Sequence, residues 1–154
     1  MIVILTPAPA PTTASSTVVD ELLGAVDLVT PNRLEACALL GISSRPEPDW
    51  ADCARRLMAK GPKGVVITLG ADGCLAAQAD RIDKIAARRV AAVDAVGAGD
   101  AFNGALAVAL SENRPLAEAA AWASAAAALA VTRPGAQSAL PRRDAIDYLA
   151  RTRD

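Results

Sequence analysis

Apolar positions along the chain alternate between two periods. Ile2 to Leu5 is a short β-branched run closed by Pro7-Ala8-Pro9-Ala10-Pro11, the pattern of a buried strand leaving a sheet through an extended turn. The Pro/Ala/Thr/Ser stretch behind it reads as a linker or a bland tail. Val18, Val19, Leu22 and Leu23 then recur at helical spacing, with Ser15 or Ser16 as cap and Gly24 at the end. Val26 to Thr30 returns to strand character. Pro31 and Asn32 end it and open a helix from Arg33 to Leu40, stopped by Gly41. A polar loop over 43–49 leads to an amphipathic helix, Trp50 to Lys60, ending at Gly61. Gly64 to Leu69 is continuously apolar and meets Gly70, as expected of a strand covered on both faces.

Ala71-Asp72-Gly73 reads as a hairpin turn into Cys74 to Ala77, and the basic segment from Arg81 to Val93 is less regular. The pattern predicts three further helices: Ala101 to Leu110, Leu116 to Ala130 and, after a polar turn from Thr132 to Ser138, Arg142 to Arg151. Strands alternating with helices predict an α/β fold, an open, mainly parallel sheet with helices on both faces, in a single domain over residues 1–154. In such sheets ligands bind beyond the carboxyl ends of the strands. Pro31-Asn32, Thr68-Leu69-Gly70 and the turn at Gly97 all fall at or just after strand ends, so the pattern points them toward one sheet edge.

Composition narrows the chemistry. Only four residues are aromatic (Trp50, Phe102, Trp122, Tyr148), so Ala, Val, Leu and Ile must build the core. Sixteen Lys plus Arg balance seventeen Asp plus Glu, which provides no field for nucleic acid or an anionic membrane. Histidine is absent, which removes His triads, His metal sites and His switches. Cys37, Cys53 and Cys74 lack C-x-x-C spacing and read as reduced thiols of a cytoplasmic protein. The segment MIVIL has no basic region before it, and the apolar stretch from Ala119 to Val131 is too short for a bilayer.

The most informative segment is Asp94 to Gly104, DAVGAGDAFNG. Gly97 and Gly99 let a ligand approach the main chain, and the unpaired N–H groups of the following helix, with its dipole, suit a phosphate or a developing oxyanion. Taken alone, the turn supports two readings: Asp100 as an N-cap, or Asp100 as a base beside an anion site. Asn32 and Glu35, three apart at a helix start, likewise suit a capping box.

Four blocks in order carry a resemblance to the second half of ribokinase-type sugar kinases of the PfkB family. They are Val-Asp-Leu-Val-Thr-Pro-Asn-x-x-Glu, Val-Ile-Thr-Leu-Gly-x-x-Gly, Asp-x-Val-Gly-Ala-Gly-Asp-Ala-Phe-Asn-Gly-Ala-Leu and Ala-Val-Thr-Arg-Pro-Gly-Ala-Gln. Pro-Ala-Pro-Ala after the first strand agrees with them, and no G-x-x-x-x-G-K-[ST] is present. The resemblance implies a ribokinase-like fold truncated on its N-terminal side and lacking the β lid, and an ATP-dependent phosphorylation of a sugar hydroxyl, D-ribose to ribose 5-phosphate. Asp100 would be the base, and Gly97 with the backbone of Ala98, Gly99 and Asp100 would form the anion hole. Asn32 and Glu35 would hold Mg²⁺ through its waters. Thr68, Gly70 and Gly73 would cradle the nucleotide, with Ser124 against the adenine. Asp94 and the carbonyls of Val96, Ala130, Arg133 and Gly135 would hold K⁺.

The chain departs from the family pattern at Thr6, Ser124 and Ala139. It also lacks the Gly-Gly-x-Gly-x-Asn sugar motif of the family's first half. The implied partners are ATP and a small sugar, with no nucleic acid and no membrane; a second copy of the chain or an N-terminal half is left open. Two alternatives stand beside the ribose kinase: a non-catalytic nucleotide-binding module or remnant, and a kinase for another sugar or a nucleoside.

Overall fold

A computed structural model describes residues 1–8 and 16–152, without the side chains of Ser16 and Thr17. The expected linker from Pro9 to Ser15, including the Ser15 cap, lies outside the described residues. The chain forms two compact units, Met1–Gly70 with Cys74–Lys84, and Ala71–Gly73 with Ile85–Asp154.

The first unit holds strands β1 (Ile4–Leu5), β2 (Leu28–Val29), β3 (Gly64–Thr68), β4 (Cys74–Gln78) and β5 (Arg81–Ile85), and helices α1 (Ser16–Ala25), α2 (Arg33–Leu40) and α3 (Trp50–Met58). The strands lie side by side in chain order in one open sheet. β1, β2 and β3 run parallel, with Ile4 opposite Leu28 and Val29 opposite Val65, and β4 returns antiparallel to β3. β5 follows β4 through the two residues Ala79-Asp80, a length that only an antiparallel return permits. Val65, Val66 and Ile67 are all fully buried, so both faces of β3 are covered, as its unbroken apolar run predicts. On one face Val65 and Ile67 pack with Leu23, Leu39, Cys53 and Leu57, which joins the sheet to the three helices.

Two expectations change here. The strand at Ile2 to Leu5 is not buried: β1 is an edge, and Ile2 and Val3 are exposed. The irregular basic segment contains a strand, β5, whose alternating charges hide it from an apolar pattern.

The second unit holds α4 (Ala98–Ser111), α5 (Leu116–Ala130) and α6 (Arg143–Arg151). α4 and α5 pack against each other, and their buried residues are Phe102, Leu106 and others that are mostly alanines, small side chains that permit close approach. Trp122 of α5 ties α6 in place: its Nε1 donates to Asp147 Oδ1 at 2.8 Å, and the guanidinium carbons of Arg114 and Arg143 lie 5.0 and 5.6 Å from its ring centre. Among the described residues, no helix is long and apolar enough to cross a membrane.

Candidate active site

The candidate residues fall into two groups, one in each unit. In the first unit, Asn32 caps α2. Its Oδ1 accepts from Leu34 N at 2.9 Å and Glu35 N at 3.0 Å, while Glu35 Oε2 accepts from Asn32 N at 2.8 Å. This is the capping box expected from the spacing, and it ends on Gly41 in the left-handed conformation. Asn32 pairs with Thr68 in an isolated parallel bridge, and Thr68 N donates to Pro31 O at 2.9 Å. The structure therefore brings Asn32, Glu35 and Thr68 together at the carboxyl ends of β2 and β3. Gly70 follows two residues later at the start of a short 3₁₀ turn.

The capping box tests the fit of a metal here. Both bonds to Asn32 Oδ1 are used by backbone N–H groups, which leaves Glu35 as the only anionic oxygen donor of the pair. One carboxylate suits a hydrated Mg²⁺ held through its waters, and it does not make an inner ligand shell. No group of three or more His, Cys, Asp or Glu among the described residues could hold a metal.

In the second unit the site is built around Gly97. α4 begins at Ala98, three residues earlier than the apolar pattern predicts, because Gly97 takes the left-handed conformation (φ 76°) and acts as N-cap without a side-chain bond. Asp100 is therefore not an N-cap; it is the third residue of the helix, and its side chain is exposed. Ala98 N donates a long bond of 3.3 Å to Ala95 O, and the first bond of the helix ladder runs from Ala101 N to Gly97 O at 2.9 Å. The N–H groups of Gly99 and Asp100 lie between these bonds and have no partner among the described residues.

The two glycines of the turn differ. A Cβ on Gly97 would come within 3.0 Å of Ala136 Cα, whereas one on Gly99 would meet nothing within 4 Å. Gly97 is required by its own backbone and by the neighbouring loop. Gly99 is required by neither, and a methyl there would stand in open space beside the unpaired N–H groups.

Asp94 fastens this turn to the loop after α5. Its Oδ1 accepts from Val96 N at 3.0 Å and its Oδ2 from Gly135 N at 2.9 Å. These bonds, that from Gly135 first, hold its carboxyl below the usual carboxylate range. Val131 O accepts from both Val93 N and Asp94 N, at 2.7 and 3.1 Å, and Arg133 N donates to Ala130 O at 3.3 Å. Asp94, Val96 and Gly135 are thus brought together; Ala130 is the last residue of α5 and Arg133 belongs to the loop that follows it. A carboxylate kept charged beside backbone carbonyls fits a monovalent cation in chemistry.

Gly73 and Ser124 take part in none of these hydrogen bonds. Gly73 (φ 94°) abuts the chain at 85–87, where a Cβ would lie 2.0 Å from Ile85 O. Ser124 is buried midway along α5. Two features escaped the sequence pattern. One is Ala136 against Gly97, a contact between segments far apart in the chain. The other is Asn103, three residues beyond Asp100 in α4, whose buried Oδ1 has no partner among the described residues; its place in an apolar helix was the available signal.

Residues 1–143 match the pfkB family carbohydrate kinases. The chain belongs to this family. Ribokinase of Haemophilus influenzae is 38% identical over 148 residues, covering 96% of this chain and 47% of the relative. Among solved structures, ribokinase of Thermotoga maritima superposes with a TM-score of 0.86 at 36% identity, over 98% of this chain and 49% of that one. Arabidopsis thaliana ribokinase, solved with ribose and ATP, gives a TM-score of 0.84 at 28% identity, over 99% of this chain and 48% of that one. The chain thus spans about half the length of these relatives.

Proposed function

We propose that this chain carries the phosphoryl-transfer half of an ATP-dependent sugar kinase acting on D-ribose. The observation that carries the reading is the start of α4. The N–H groups of Gly99 and Asp100 are unpaired among the described residues, the Cβ position over Gly99 is open, and the Asp100 carboxylate is exposed and uncommitted to capping. Asp100 takes the proton of the sugar hydroxyl as that oxygen attacks the γ-phosphorus, and the bond from the γ-phosphorus to the oxygen of ADP breaks. The N–H groups of Gly99 and Asp100 stabilise charge on the transferred group, with Ala98 N–H as a third donor once it gives up its long bond to Ala95 O. Gly97 sets the direction of all three.

Thr68, Gly70 and Gly73 line the nucleotide phosphates in this reading, and Ser124 is assigned to the adenine. Glu35 holds hydrated Mg²⁺, with Asn32 orienting Glu35 through the capping box. The ion, when bound, neutralises charge on the phosphates. Asp94 and the carbonyls of Val96, Ala130, Arg133 and Gly135 hold K⁺. Ribose as substrate is supported by the ribokinase relatives.

The test measures ADP release from ATP with D-ribose, Mg²⁺ and K⁺. It uses this chain alone and the chain joined to the unmatched half of a ribokinase. Ribose-dependent turnover is expected in the joined form, and Asp100→Asn should lower it by roughly 10²–10⁴-fold. Full turnover by Asp100→Asn, or no ribose-dependent turnover in either form, overturns the reading. The half-length match favours one second reading, a nucleotide-binding module without activity of its own. Micromolar ATP binding in calorimetry, without turnover in either form, would support that module.

A further inference from the structure

The apolar run of α4, AFNGALAVAL, contains one polar side chain, Asn103. The residue is half-buried, and its Oδ1 is buried without a partner among the described residues. Its Nδ2 makes no hydrogen bond there either and is not buried, so the donor end of the amide reaches solvent. Asparagine is a poor helix former, and a buried acceptor left without a donor carries its desolvation penalty in full. No bond among the described residues offsets either cost, so Asn103 weakens α4 rather than holding it. Its position relates it to Asp100. Residues three and four apart are neighbours on a helix, and helical side chains lean toward the turn before their own Cα. Asn103 is three beyond Asp100 and leans back toward it. Gly104, four beyond Asp100, and Gly99, four before Asn103, have no side chains, and a Cβ on either would meet nothing within 4 Å. Within α4, Asn103 is thus the one hydrogen-bonding side chain spaced to reach Asp100. The amide also turns outward the end that a carboxylate accepts from; reversed, it would set an acceptor beside an anion.

We propose that Asn103 is a positioning residue for Asp100: its Nδ2 donates to one oxygen of the Asp100 carboxylate and leaves the other oxygen to take the proton of the substrate hydroxyl. The two side chains are not bonded to each other in this structure, and rotation of the exposed Asp100 side chain closes the pair. A hydrogen bond to a charged acceptor is stronger than one between neutral groups, and it fixes one rotamer of a carboxylate that otherwise samples several. A base held in one direction acts on a correctly placed hydroxyl without first having to find it. The role given to Asp100 rests on the kinase reading; the pairing of the two side chains does not.

The test uses the chain joined to the unmatched half of a ribokinase. Asn103→Leu keeps the volume of the side chain and removes both polar ends. Its melting temperature should equal or exceed the parent's, its kcat should fall about tenfold, and its KM for ATP and for ribose should stay within about twofold. Asn103→Gln keeps a donor on a longer stem and should retain most of the kcat that Asn103→Leu loses. In ¹⁵N-labelled protein the side-chain amide protons of Asn103, identified by their loss in Asn103→Leu, should shift on Asp100→Ala. The proposal is overturned by parental kcat in Asn103→Leu, by a kcat loss matched by a lower melting temperature, by Asn103→Gln turning over no faster than Asn103→Leu, or by amide resonances indifferent to Asp100→Ala. Absence of ribose-dependent turnover in the parent counts against the kinase reading alone, and the amide resonances then decide the pairing.

Discussion

Gly97 and Gly99 are two positions apart and answer to different constraints. Gly97 has a positive φ and sits against Ala136, so Gly97→Ala should destabilise the second unit by ~1–3 kcal/mol, read as a lower melting temperature. Gly99 lies within the first helical turn with open space over it, and Gly99→Ala should leave the melting temperature unchanged or slightly raised. Its effect should appear in weaker ATP binding by calorimetry, because the new methyl stands beside the unpaired N–H groups. Asp94 adds a pH dependence. Its folded pKa lies below the ordinary 3.8, so its two bonds contribute stability above that value, and the contribution is lost as pH falls through the folded pKa. Acid unfolding followed by circular dichroism over roughly pH 2–6 should show a steeper loss for the native chain than for Asp94→Asn, whose amide does not titrate.

At the scale of elements, the capping box of α2 separates structure from chemistry. Asn32→Ala removes the acceptor for two N–H groups and should cost ~1 kcal/mol in chemical denaturation. Glu35→Gln keeps an acceptor for Asn32 N and removes the charge. It should leave stability nearly unchanged and raise the Mg²⁺ concentration needed for turnover in the joined form; an unchanged Mg²⁺ dependence would remove Glu35 from the metal's surroundings. α2 was legible in the sequence because its punctuation is local: Asn32 and Glu35 at one end, Gly41 at the other. β3 was legible because Val65, Val66 and Ile67 leave no polar face. β5 was not, since Arg81, Asp83 and Lys84 give an edge strand the composition of a loop. The start of α4 was misplaced for a related reason. Asp100 is a good N-cap by type, but Gly97 had already reversed the chain. In the site, the Gly-Ala-Gly-Asp turn was visible in the pattern, whereas the association of Asp94 with Gly135 came only from the family resemblance, because a hydrogen bond between residues 41 positions apart leaves no periodic trace.

For the molecule as a whole, the three thiols report on the integrity of the first unit. Cys37, Cys53 and Cys74 are free and buried, and all three lie in the unit that contains the sheet. Burial raises the pKa of each, with Cys74 pushed up to about 12. The thiolate is the reactive form, so a folded chain at neutral pH offers neither access nor reactivity to a thiol reagent. Native protein should therefore label slowly at all three positions, and each rate should rise with denaturant as the sheet unit opens. Trp122 reports the other unit, held by Asp147, Arg114 and Arg143, and its fluorescence is isolated by Trp50→Phe. Trp122→Ala should cost ~3–5 kcal/mol in the fluorescence-silent far-ultraviolet melt of the helices, because it removes a buried ring together with the partner of Asp147. Fast labelling of Cys74 in the absence of denaturant would show that β4 opens without the rest of its unit. A strand paired with β3 along its whole length, with Leu75 and Ala77 in the core, gives no route for that opening.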